Sequence, residues 1–165
     1  MSSAYGPTLP SGWQLAALGD FNRDGKPDYV VFNASTSQTA IWYLNNNVHI
    51  NSAFGPTLPA SWHIAGVADF NQDGAPDYLL FDPDTSETAI WYLNNNILVT
   101  SSNGPMVATG YVLQGTADFN ADRKPDYVLY NSSSQQTAIW YMNNNVHVSS
   151  AFGPTIASGW TLVRP

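Results

Sequence analysis

Three aspartate-rich stretches of nine residues hold what chemistry this chain can do. The first is Asp20-Phe21-Asn22-Arg23-Asp24-Gly25-Lys26-Pro27-Asp28. It recurs as Asp69-Phe70-Asn71-Gln72-Asp73-Gly74-Ala75-Pro76-Asp77 and as Asp118-Phe119-Asn120-Ala121-Asp122-Arg123-Lys124-Pro125-Asp126. In each, oxygen side chains fall at positions one, three, five and nine, and position seven offers a backbone carbonyl. Alternate positions of a tight loop can aim their oxygens at one centre. A hard cation such as calcium collects about six to eight of them at roughly 2.3–2.6 Å. Glycine at position six of the first two loops suits the sharp turn this requires. The competing reading is an Asx-turn, in which Asp and Asn side chains bond their own backbone. Three loops alike in spacing and in all four oxygen side chains favour calcium.

The same loops organise the charge. The 165-residue chain has a formal net charge of −7, and three aspartates per loop supply nine of its twelve acidic residues. The other three, Asp82, Asp84 and Glu87, share one turn. Acidity that served only solubility would be scattered over the surface, whereas this converges. Phosphate backbones call for basic clusters, so with five Lys and Arg in all no nucleic acid is expected as a partner. There is no cysteine, which excludes disulfides, zinc thiolates and thiol nucleophiles. No apolar run reaches the ~18 residues of a membrane-spanning helix. Met1-Ser2-Ser3-Ala4-Tyr5-Gly6-Pro7 does not read as a secretory leader.

Something repeated must position three equal loops, and the period is 49 residues. Asp20, Asp69 and Asp118 keep it, as do Trp42, Trp91 and Trp140, and Trp13, Trp62, Tyr111 and Trp160. Charged residues are only 10% of the chain, against about 25% in an average domain. Sheet formers are punctuated every few positions by Asn, Ser, Thr, Gly and Pro, which predicts an all-β chain. Each repeat has room for four short strands. The first lies around Gly12 to Gly19 and leads into the Asp-rich loop. The second, Tyr29-Val30-Val31-Phe32 and its copies, is apolar throughout and predicts burial on both faces. The third is Thr39 to Leu44. Asn45-Asn46-Asn47 then makes a hairpin turn, and the fourth strand, Val48 to Asn51, alternates as an outer strand does.

A four-stranded sheet of this length, repeated in tandem, is a β-propeller blade. A β-solenoid is the runner-up, with a shorter repeat and no polar outer strand. The blades are placed at about 11–55, 60–104 and 109–153, with 154–165 as an extra inner strand. Three blades fall short of the roughly four to eight that close a ring, and an open wedge leaves two apolar faces exposed. A homo-oligomer is therefore expected, a dimer of six blades or a trimer of nine. Gly159–Val163 and Gly12–Ala16 both fit one inner-strand slot, which suggests strand exchange between subunits. The alternative is a fragment of a longer propeller.

The motif Asp-Phe-Asn-x-Asp-Gly-x-x-Asp, followed by Tyr and apolar residues, resembles the FG-GAP or VCBS-type propeller repeat of integrin α-chains. Phe54-Gly55 and Phe152-Gly153 stand upstream of a first strand, as in that family. The resemblance implies structural calcium held by Asp20, Asn22, Asp24, Asp28 and the Lys26 carbonyl. It implies a second site of Asp69, Asn71, Asp73, Asp77 and the Ala75 carbonyl. The third is Asp118, Asn120, Asp122, Asp126 and the Lys124 carbonyl. Two features depart from the family. Phe32-Asn33 replaces its Gly-Ala-Pro segment, and Arg123 stands where the other loops have Gly25 and Gly74. A β-carbon at positive φ costs on the order of 1 kcal/mol and a guanidinium repels a cation, so the third site is expected to be weak or empty. The resemblance also favours an extracellular or cell-surface setting.

The aromatics read first as wedges between blades. As a binding surface, Trp13, Trp62, Tyr111 and Trp160 are the candidates for stacking on sugar rings, as in propeller lectins, which the resemblance supports. His49 and His147 are equivalent outer-strand positions, and His63 has no copy. No catalytic set stands apart from the repeat, so a non-enzymatic recognition module is expected, with glycans as the first ligand class. A protein-binding adhesion scaffold and a self-assembling fragment without a ligand are the alternatives.

Overall fold

The structure, a computed structural model, describes residues 4–160 and residue 162. Twelve strands and no helix are present among the described residues. Sheet 1 holds β1 (Trp13–Gly19), β2 (Asp28–Asn33), β3 (Gln38–Asn45) and β4 (Val48–Thr57). Sheet 2 holds β5 (His63–Ala68), β6 (Asp77–Asp82), β7 (Glu87–Asn94) and β8 (Ile97–Asn103). Sheet 3 holds β9 (Val112–Ala117), β10 (Asp126–Asn131), β11 (Gln136–Asn143) and β12 (Val146–Thr155). Each sheet is an antiparallel meander in chain order. Equivalent registers recur, with Tyr29 opposite Trp42, Tyr78 opposite Trp91 and Tyr127 opposite Trp140.

The sheets stand face to face in a row, with β1 beside β5 and β5 beside β9. One apolar layer, including Phe21, Val30, Ile41, Tyr78 and Leu80, fills the space between sheets 1 and 2. A second, including Phe70, Leu79, Ile90, Tyr127 and Leu129, fills that between sheets 2 and 3. Burial on both faces, expected of all three second strands, is complete only in β6, the strand flanked on either side. In β2 and β10 some residues are only half-buried.

The fourth strand is longer than its alternation suggests, because β4 and β12 run on through Phe-Gly-Pro to Thr57 and Thr155. Proline is tolerated on an edge strand, where its missing N–H faces away from the ladder. The buried Thr39, Thr88 and Thr137 hydroxyls donate to the carbonyls of Pro56, Pro105 and Pro154 at 2.6, 2.7 and 2.6 Å. The preceding glycine lies against the same hydroxyl. A Cβ on Gly104 would overlap Thr88 Oγ1. Gly104→Ala is therefore expected to destabilise the chain by about 1–3 kcal/mol, read as a lower urea midpoint. A variant matching the parent would refute this account.

The extra inner strand expected over 154–165 is not seen among the described residues. Pro154 and Thr155 end β12, and residues 156–160 form no strand. Thr161 and residues 163–165, which that expectation needs, lie outside the described residues. The turn leading into it does recur. Trp160 N–H donates to Ala157 O at 3.1 Å, as Trp13, Trp62 and Tyr111 do to Pro10, Pro59 and Ala108.

Candidate metal centre and aromatic pockets

Each Asp-rich loop joins the first and second strands of its sheet. Its side chains are turned onto its own amides. Asp20 accepts from Asp24 N–H (3.0 Å) and Gly25 N–H (2.8 Å), Asn22 Oδ1 from Asp24 N–H (3.0 Å), and Asp24 Oδ1 from Lys26 N–H (3.0 Å). The second loop repeats these bonds at Asp69, Asn71 and Asp73. The third repeats them at Asp118, Asn120 and Asp122. Arg123 departs from glycine without changing this pattern: its φ is 67°, beside 83° and 84° at Gly25 and Gly74, and its N–H reaches Asp118 at 2.9 Å. Position four is also left-handed, at Arg23, Gln72 and Ala121, which the sequence did not suggest.

The ninth residue does something different. Asp28, Asp77 and Asp126 are fully buried. Asp28 accepts from Phe21 N–H with one oxygen and from Leu44 N–H with the other, both at 3.0 Å. Leu44 lies beyond the last β2–β3 pair, Tyr29 with Trp42, so its amide needs another acceptor. Asp77 joins Phe70 (3.0 Å) to Leu93 (2.9 Å), and Asp126 joins Phe119 (3.0 Å) to Met142 (2.9 Å). The carboxylate is a clip between the loop and the far end of the third strand. Burial pushes the Asp77 carboxyl up to about 6, against the lowering pull of the Leu93 and Phe70 amides, and the charges of Asp73 and Asp69 add to the rise. Burial raises Asp28 as well.

The loops also meet one another. Arg23 pairs with Asp73 at 3.9 Å, and Gln72 Nε2 donates to Arg123 O at 3.1 Å. Among the described residues no group of three or more His, Cys, Asp or Glu side chains is drawn together as a metal-holding cluster. The donor set nonetheless fits a hard cation, being all oxygen, with three carboxylates and an amide per loop. Asp73 and Asp69 stand near enough to raise Asp77 by their charge. Each carboxylate has about four lone-pair sites, and one amide bond leaves an oxygen able to accept more.

The Asn triplets are more than turns. Asn46, Asn95 and Asn144 take positive φ, at 57°, 58° and 56°. Tyr43 Oη donates across the sheet junction to Asn95 Oδ1 at 2.5 Å, and Tyr92 Oη to Asn144 Oδ1 at 2.5 Å. The third asparagine reaches back as well, from Asn96 Nδ2 to Phe54 O (2.9 Å) and from Asn145 Nδ2 to Asn103 O (3.0 Å). The turns of sheets 2 and 3 therefore latch each sheet to the preceding one.

Trp13 sits at the start of β1, the end of the sheet away from the Asp-rich loop. A pocket of about 280 Å³ lies between Trp13, Trp42, Ser52 and Phe54. Its copy in sheet 3, of about 220 Å³, lies between Tyr111, Trp140, Ser150 and Phe152. The Trp13 and Phe54 rings are 6.3 Å apart. Trp42 stacks on His49 at 4.4 Å and Trp140 on His147 at 4.5 Å, which gives the two outer-strand histidines a packing partner. Trp62 instead packs against the layer between sheets 1 and 2. Sheet 2 has Asn103 where the others have Phe54 and Phe152. Trp160, the fourth candidate, is 73% exposed and stands apart from both pockets. The partners Trp42, Trp140, Phe54 and Phe152 were not singled out as ligand residues in the sequence, though the 49-residue period marks the tryptophans.

Comparison with curated proteins and with solved structures gave no match. The family model described as an FG-GAP-like repeat matches residues 20–80, from the first residue of the first Asp-rich loop through the second loop into β6. Over that span the chain is similar to the FG-GAP-like repeat.

Proposed function

We propose that this chain is a non-enzymatic recognition module of propeller blades, stabilised by calcium in its Asp-rich loops, that binds carbohydrate in equivalent aromatic pockets of its first and third blades. The ring is completed by further copies. The observation that carries this reading is the pair of equivalent pockets, Trp13/Trp42/Ser52/Phe54 and Tyr111/Trp140/Ser150/Phe152. Aromatic faces suit the apolar C–H faces of a sugar ring, and a serine hydroxyl beside them supplies a polar contact of the kind that orients a ligand. Their recurrence in the first and third sheets, two repeats apart, supports a multivalent surface, in which weak single sites gain avidity.

A glycan array run in calcium tests it. Binding to a restricted set of glycans is expected, and Trp42→Ala with Trp140→Ala is expected to abolish it while leaving the circular dichroism spectrum unchanged. A blank array in calcium would sink the carbohydrate reading. A protein-binding role is the second reading, supported by the apolar residues exposed on the outer strands, such as Val48, Ile50, Ile97 and Val99 at 56–65%. Capture of a protein partner, with no glycan bound, would favour it.

A further inference from the structure

The two junctions inside the chain specify what each open face is built to meet. Phe21 and Phe70 are 1% and 2% exposed, each set edge-on against the tyrosine of the following sheet, Tyr78 at 6.0 Å and Tyr127 at 6.3 Å. Their third copy, Phe119, is 45% exposed on the free face of sheet 3. An apolar groove of about 330 Å³ runs beside it, lined by Thr116, Val128, Ile139 and Gly153 and, from the chain's own C-terminal segment, by Leu162, which a docking sheet must displace. The first copy of the tyrosine, Tyr29, is half-buried on the free face of sheet 1, whereas Tyr78 and Tyr127 are fully buried. Leu15 of β1, opposite Val31, is 50% exposed, where its equivalents Ile64 and Leu113 are 7% and 0%. The polar latch is divided in the same way. Its hydroxyl half remains at Tyr141 of sheet 3, and its amide half at Asn46 of sheet 1.

Sheet 1 is not bare. Asn47 Nδ2 donates to Tyr5 O at 2.9 Å, as Asn96 does to Phe54 O and Asn145 to Asn103 O. A Cβ on Gly6 would lie 3.1 Å from the Tyr29 hydroxyl, and Cβ atoms on Gly55 and Gly104 would lie 3.4 Å from those of Tyr78 and Tyr127. Tyr5-Gly6 thus sits on sheet 1 where the end of a preceding sheet's outer strand would sit. Its sequence, Ala4-Tyr5-Gly6-Pro7-Thr8-Leu9, repeats Ala151-Phe152-Gly153-Pro154-Thr155-Ile156.

We propose that the free face of sheet 3 docks head-to-tail on the free face of sheet 1 of a second copy of this chain, with Phe152-Gly153 displacing that copy's Tyr5-Gly6 strap. The strap is an internal mimic of the docking element and competes with it. The proposal rests on the propeller reading above. Two copies, each giving sheet 3 to the other's sheet 1, make six blades, inside the roughly four to eight that close a ring. Tyr141 then donates to the partner's Asn46.

The test is native mass spectrometry, backed by analytical ultracentrifugation, of the full chain and of Leu15→Asp and Phe119→Asp. Both substitutions are at half-exposed positions, and circular dichroism checks that the fold persists. The parent is expected to be a dimer and each variant alone a monomer, whereas an equimolar mixture forms dimers of one copy of each through the single intact junction. A monomeric parent would overturn the proposal. So would a variant that stays dimeric alone, because a like-to-like contact uses only one of the two faces. Deleting residues 1–9 is expected to tighten dimerisation by roughly tenfold, since a strap occupying the face lowers the competent fraction; unchanged affinity would remove the strap from the account. Glycan and calcium binding are read separately in the same proteins, so a blank array counts against recognition while the docking is judged on mass alone.

Discussion

Replacing Asp77 with alanine is expected to cost about 2–5 kcal/mol of folding stability, the largest loss among single loop substitutions. The reason is geometric. Asp77 is fully buried and satisfies two amides from different elements, Phe70 N–H in the loop and Leu93 N–H near the end of β7. Truncation strands both donors away from water, at about 1–3 kcal/mol each. It also frees the loop from the strand beneath it. Asp73→Ala is the control, because that side chain is half-exposed and the Ala75 amide it accepts from lies within its own loop, so no second strand is released. Urea unfolding followed by tryptophan fluorescence should show a large drop in midpoint for Asp77→Ala and a small one for Asp73→Ala. Asp77→Asn should fall between them, since one amide oxygen can serve only part of the clip. Equal midpoints for the two alanine variants would mean that the buried carboxylate is no clip.

Asp77 also shows how far the sequence can be read. Its place at position nine of a loop with alternating oxygens identified it as a candidate ligand, and the loop does lie between the first two strands. Nothing local reveals that its oxygens are aimed at amides, because the second partner, Leu93, lies sixteen residues away on another strand. The same separation holds from Asp28 to Leu44 and from Asp126 to Met142. The Asn triplets were legible as turns, since asparagine tolerates positive φ. Their hold on the preceding sheet depends on how two sheets are offset, which no window of sequence encodes. Strand ends were misread where Phe54-Gly55-Pro56 looks like a break, because punctuation rules do not know that β4 is an edge. The apolar runs of β2, β6 and β10 are alike in sequence, and only their neighbours make their burial unequal.

Calcium should raise the melting temperature of this chain, and the size of the rise should depend on pH. The Asp77 carboxyl, pushed up to about 6 in the fold, exceeds its ordinary value of 3.8. A group raised in this way contributes stability that is fully present below about pH 3.8 and is lost as pH rises through about 6. In chelator the melting temperature should therefore decline between these limits, with the raised Asp28 adding to the slope. A cation reverses the sign of that effect, because it binds the charged form and competes with the proton. With calcium at about a hundredfold over its dissociation constant, each site adds about 2.7 kcal/mol. Two sites would then lift the melting temperature by roughly 10 °C or more in a chain of this size. The rise should be large at pH 7.5 and small at pH 4.5. Titration calorimetry should count two ions per chain, with Arg123→Gly adding a third by removing the guanidinium and the strained φ of 67°. Identical melting curves in calcium and in chelator at pH 7.5 would reduce the loops to Asx-turns, with Asp28, Asp77 and Asp126 as structural clips and nothing more.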